Sequence, residues 1–115
     1  MSRPSVKFPA VIAGLVNSVL HGPGETSVLL RQVVAARAGA PSMPRREPAS
    51  LPAELAPFVD RLANEPATIS SADIVALRVA GYNEDEIFEL AISVALGAGL
   101  TRLERGLAAL QEDEA

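Results

Sequence analysis

The chain has no cysteine. That excludes a disulfide, a zinc–thiolate site and a thiol nucleophile together. Aromatic residues are scarce as well, at 3% against 49% apolar residues overall. The core must come from Ala, Leu, Val and Ile, which favours close helix packing over a sheet. His21 is the single histidine, so a metal site would have to draw its other ligands from carboxylates. No metal and no cofactor are expected. Basic residues number 10 against 14 acidic ones, giving a net charge of −4 and a pI near 4.9. Affinity for nucleic acid or anionic membrane needs clustered Lys and Arg, so neither partner is expected. Long apolar runs are missing too. The longest, Ala91 to Leu100, is too short to span a bilayer and is preceded by Glu89. Pro4 and Pro9 interrupt the N-terminal stretch, so no secretory leader is expected. These absences point to a soluble cytoplasmic protein, and 115 residues to a single domain over 1–115 with one modest core.

What is present reads as an all-α chain of about five helices. Ile12, Leu15, Val16 and Val19 recur at i, i+3, i+4, i+7, one face of a helix from about Pro9 to Leu20. His21-Gly22-Pro23-Gly24 ends it. Thr26 or Ser27 can cap a second helix running to about Ala38, with Leu29, Leu30, Val33 and Val34 opposite Arg31 and Gln32. Gly39 to Ser50 carries Pro41, Pro44, Pro48 and the pair Arg45-Arg46, and reads as a loop. Pro52 suits the first turn of a third helix with Leu55, Phe58, Val59 and Leu62 on one face. Pro57 must kink that helix or displace its start. Ser70 with Asp73, and Asn83 with Glu86, have the spacing of capping boxes for a fourth and a fifth helix, with Gly81 as the stop between them. The fifth can run to about Leu110.

That last helix is the unusual element. It is apolar nearly all round from Ile87 to Leu100, and such a helix needs cover on every side. Gly97 and Gly99 each cost about 1 kcal/mol relative to alanine inside a helix, so a second backbone is expected to pack there. Ala91, Ala95, Ala98 and Gly99 supply small side chains, and Leu96, Leu100, Leu103 and Leu107 form a stripe. The residues fit either a central core helix or a core helix that is also an oligomer interface.

Candidate chemistry is thin. Glu54 suits the first turn of the third helix, where the dipole favours a carboxylate. Asp73 fits the third position after its Ser70 cap. Ser70 and Ser71 have no histidine nearby. His21 reads as a surface residue at a helix end. Gly22-Pro23-Gly24 follows a helix and lacks the lysine of a phosphate loop. Asp73-Ile74 to Leu77, Gly81 and Ile87 have roughly helix-turn-helix spacing, but the second helix would open on Glu84, Asp85 and Glu86, which repel phosphate.

Ala53-Glu54-Leu55 through Ala80-Gly81-Tyr82-Asn83-Glu84-Asp85-Glu86-Ile87 resembles the core of the alkylhydroperoxidase D and carboxymuconolactone decarboxylase group, with residues 53–110 as the family-like part. That family's pattern is a Glu, a Cys-x-x-Cys twelve residues on, a His four after the second Cys, and then an Ala-Gly turn. In an ungapped register Glu54 falls on the Glu, Pro66 and Ile69 on the two cysteines, and Asp73 on the His. The resemblance implies the family's helical fold with its thiol chemistry lost, because neither Pro66 nor Ile69 can replace a thiolate. It implies a homo-oligomer, since family members assemble through helices, or pairing with a cysteine-containing homologous subunit. Its non-thiol branch decarboxylates a lactone without an external cofactor. This implies the alternative, an enzyme in which Glu54 acts as acid or base with a partner such as Asp73, Tyr82 or His21. The reading leans away from an enzyme.

Overall fold

The computed structural model describes residues 10–39 and 51–114. They form helices α1 (Ala10–His21), α2 (Val28–Gly39), α3 (Ala56–Asn64), α4 (Ser71–Val79) and α5 (Glu84–Glu114), with a 3-10 turn at Pro66–Thr68. The fold is all-α with a long C-terminal helix, and no strand occurs among the described residues. The loop expected over 39–50 lies, apart from Gly39, outside them.

Local chemistry sets most of the boundaries. Ser27 Oγ accepts from the Leu30 N–H at 3.1 Å and starts α2. Pro57 displaces the start of α3, as one of its two expected outcomes. Leu55 becomes the N-cap and Pro57 sits in the first turn, where its missing N–H costs nothing. Glu54 consequently lies in the turn before α3 and not in its first helical turn. Both capping boxes form. The Ser70 N–H donates to Asp73 Oδ2 at 2.8 Å. The Asn83 N–H donates to Glu86 Oε1 at 2.8 Å, and the Glu86 N–H to Asn83 Oδ1 at 2.8 Å. Between them Gly81 takes φ +112°, the left-handed region that side chains avoid. The Tyr82 N–H then reaches the Leu77 carbonyl at 3.1 Å, and the Gly81 N–H the Arg78 carbonyl at 3.0 Å, closing α4 as a Schellman motif.

The core runs along α5. Ile87, Leu90, Val94 and Ala98 meet Val34 and Ala38 of α2 and Leu55, Phe58, Val59 and Ala63 around α3. The α2–α5 contact is the closest, because α2 turns Val34, Ala35 and Ala38 inward. A Cβ at Gly97 would collide with the Ala35 carbonyl oxygen. The expected close backbone approach is therefore at Gly97 and inside the chain. Gly99 points away, and a Cβ there would meet nothing within 4 Å. The apolar side expected for α2 is partly rotated: Val34 is fully buried and Leu30 packs on the core, but Leu29 is 64% exposed and Arg31, expected on the polar side, is 3% exposed. Where the Ala35 backbone approaches Gly97 there is room only for small side chains. Helix α1 buries no residue fully, and Leu15 of its expected inner face is half exposed.

At about 1.5 Å per residue the 31 residues of α5 span about 46 Å, against a long axis of 52 Å for the described molecule. The helix thus sets the length of the protein, and from Leu103 to Leu110 most of its residues are exposed.

Candidate functional site

Three features have the chemistry or shape of a site. The first is where the family register pointed. Tyr82, carried just past the Gly81 turn, donates its hydroxyl proton to Glu54 Oε1 at 3.1 Å. Tyr82 is half-buried against the core, while Glu54 is exposed. Burial raises the Tyr82 pKa, and the hydrogen bond and charge of Glu54, with the charge of Glu86, raise it further. At neutral pH the phenol therefore stays protonated, able to donate but not to abstract a proton.

The other expected site residues do not converge on this pair. Asp73 Oδ1 accepts from Arg61 Nη1 at 2.7 Å, and Arg61 Nη2 also donates to the Thr68 carbonyl at 2.9 Å. The Ser70 N–H, supported by the Ser70 hydroxyl and Arg61, holds the Asp73 pKa below its ordinary value. Asp73 is thus spent on fixing the 3-10 turn and the start of α4. His21 is exposed at the end of α1, where Gln32 Nε2 donates to its Nδ1 at 3.0 Å. Pro66 is exposed and Ile69 packs on the edge of the core. Ser71 is exposed as the first residue of α4. Among the described residues no group of three or more His, Asp or Glu could hold a metal ion.

The second feature is a buried polar cluster that the sequence reading missed. Arg31 of α2 donates from Nη1 to the Val19 carbonyl at 2.6 Å and from Nη2 to the Gly22 carbonyl at 2.7 Å. It thereby caps the C-terminal end of α1, whose last carbonyls have no partner within the helix. Its Nε lies 3.9 Å from Glu89 Oε1. Glu89 Oε1 accepts from the Thr26 N–H at 2.9 Å and the Thr26 hydroxyl at 2.8 Å, and Oε2 from the Glu25 N–H at 2.6 Å. Burial pushes the Glu89 pKa up, but the Glu25 and Thr26 N–H groups, the Thr26 hydroxyl and the Arg31 charge outweigh it, so Glu89 stays ionised below the usual range. Both Glu89 oxygens and both Arg31 terminal nitrogens bond within the chain, so the cluster is a structural tie between the α1–α2 loop and α5, although the buried Arg31 Nε has no hydrogen-bond partner. The signal for it was Glu89 itself, the one charged residue between Ile87 and Thr101 of α5, which must find partners.

The third feature is an apolar groove of about 540 Å³ between α3, the 3-10 turn and α5. Leu62, Pro66, Ile92, Ala95 and Ala98 line it, and Arg102 stands at its wall, donating to the Ala63 carbonyl at 2.8 Å. Glu54 is not among its lining residues.

Beside the groove, α5 presents an exposed apolar stripe. Phe88 is 65% exposed, Ile92 36%, Leu103 40% and Leu110 61%, with Ala95, Gly99 and Gly106 exposed between them. Over these 22 residue steps a helix makes about six turns, so all seven positions lie on one face. This is not the stripe expected from sequence: Leu96, Leu100 and Leu107 are half-buried along its flank, and only Leu103 belongs to both.

Comparison with known proteins adds no assignment: no family model, curated relative or solved structure matches the chain.

Proposed function

We propose that this chain is a self-associating helical subunit of the alkylhydroperoxidase D-like type that has lost thiol chemistry and works by assembly. The observation that carries the reading is the exposed apolar face of α5 with its adjoining groove. The largest contiguous apolar patch on a protein surface is often a functional one. In this reading the protein is cytoplasmic and associates with a second copy or a cysteine-containing homologous subunit. No helix among the described residues is long and apolar enough to cross a membrane. The family assignment rests on the register of Glu54 and the Ala80 to Ile87 joint.

The rival reading, an acid–base enzyme built on Glu54, has one point in its favour, the Tyr82–Glu54 hydrogen bond. It also needs Glu54 enclosed in a pocket, and Glu54 is exposed. The test of the main reading is native mass by light scattering at micromolar concentration. An oligomer is expected, and Gly99→Leu is expected to weaken it by overfilling the exposed stripe. A monomer throughout would end the self-association reading.

A further inference from the structure

The exposed stripe on α5 has an internal symmetry. Taken about Gly99, the positions pair as Phe88 with Leu110, Ile92 with Gly106, Ala95 with Leu103, and Gly99 with itself. Each of these residues is exposed. In the middle of the stripe every large residue has a small counterpart at the mirrored position, and the large ones at the ends face each other. Large against small across facing positions is what lets two helices interdigitate. A two-fold axis generates this pairing when the helices run antiparallel, because a self-complementary patch then meets its own copy.

The groove fits the same arrangement. Ala95 lines it, and Ala95 is the mirror position of Leu103. Leu103 is 40% exposed and two turns along the helix from Ala95. Each copy thus offers one projecting leucine and one groove at symmetry-related places. Area supports the joint use of both. A helix face about 33 Å long and about 12 Å wide has a footprint of roughly 400 Å² per chain. A standard stable interface buries about 800 Å² per partner. The stripe alone supplies half of that, and the groove walls on α3 and the 3-10 turn are the adjoining apolar surface.

We propose that the partner of the α5 face is a second copy of this chain, docked antiparallel with the two-fold axis at Gly99 and Leu103 of each copy seated in the groove of the other. This rests on the self-association reading and fixes its geometry. The test uses the absence of native cysteine. Ile92→Cys and Gly106→Cys proteins are made separately, shown to stay helical by circular dichroism, mixed, and treated with a short bis-maleimide. Cross-linked dimer is expected from the mixture and not from either variant alone, because like positions lie 14 residues apart along the paired helices, about 21 Å. Leu103→Glu is expected to raise the dissociation constant at least tenfold. An oligomer by light scattering that links 92 to 92 and 106 to 106 would be parallel and would overturn this geometry alone. So would an oligomer that links at neither position. A monomeric wild-type chain would overturn both this geometry and the self-association reading.

Discussion

Glu89 and Arg31 show how a single pair of residues can tie two helices to a third. Arg31 is almost fully buried and holds the end of α1, while Glu89 holds the loop that leads into α2. Removing one partner leaves the other desolvated and without its counter-charge, which costs about 3–5 kcal/mol in buried pairs. Glu89 keeps some solvent contact, so Glu89→Ala is expected at the lower end, about 3 kcal/mol by urea unfolding. The double change Arg31→Met with Glu89→Leu should cost less than the sum of the singles, because no lone charge remains. The pair also sets a pH dependence. The folded pKa of Glu89 lies below its ordinary value of 4.5, so its contribution is present above the unfolded pKa and is lost as pH falls through the folded one. The thermal midpoint should therefore drop on acidification below about pH 4.5, and more steeply in the wild type than in Glu89→Gln. By contrast Tyr82→Phe removes one exposed hydrogen bond and should cost no more than about 1 kcal/mol. A loss of several kcal/mol would mean that the Tyr82–Glu54 pair is more deeply built in than its exposure indicates.

At the scale of the element, helix boundaries were legible, and helix faces were legible in part. Ser70, Asp73, Asn83, Glu86 and Gly81 act through hydrogen bonds or torsions within a few residues, so their spacing carries the information. Phe58 and Val59 of α3 point inward as their periodicity predicts. On α2 the periodicity is right in part: Val34 is fully buried and Leu30 packs on the core, but Leu29 is exposed while Ala35 and Ala38 are buried. The close approach of Ala35 to Gly97 decides this, and it is set by residues some sixty positions away. The fate of Arg31 depends in the same way on where α1 ends. The candidate site followed this split: Glu54 and Tyr82 were named as possible partners and do meet, whereas the Arg31–Glu89 cluster depends on tertiary placement. The glycines of α5 separate the two effects experimentally. Gly97→Ala drives a methyl group into the Ala35 carbonyl and should destabilise by about 1–3 kcal/mol. Gly99→Ala fills open space, and helix propensity should stabilise the isolated chain by about 1 kcal/mol. Equal effects of the two changes on the unfolding midpoint would show that the crossing lies elsewhere.

For the whole molecule the governing quantity is net charge set against one apolar face. Both ends of α5 read Glu-Asp-Glu, at 84–86 and at 112–114, and the two triplets are symmetric about Gly99. In the proposed antiparallel pairing of α5 the acidic start of one copy would lie beside the acidic end of the other. Glu84 is paired with Arg78 at 3.3 Å, so the repulsion at each end of the seam would come from Asp85 and Glu86 against 112–114. Screening acts on the repulsion alone: the Debye length falls from about 30 Å at 0.01 M salt to about 10 Å at 0.1 M. Association should therefore strengthen as sodium chloride rises over that range, the reverse of an interface steered by opposite charges. Asp85→Lys places a cation beside the opposing acidic end. It should tighten the dimer at low salt and turn the salt dependence around, at a cost to helix stability of about 0.3–1 kcal/mol from the unfavourable dipole interaction. Sedimentation equilibrium at 0.01 M and 0.1 M salt reads both effects. If Asp85→Lys left the salt slope of the wild type unchanged, the ends of α5 would not lie against each other, and the copies would meet through another surface.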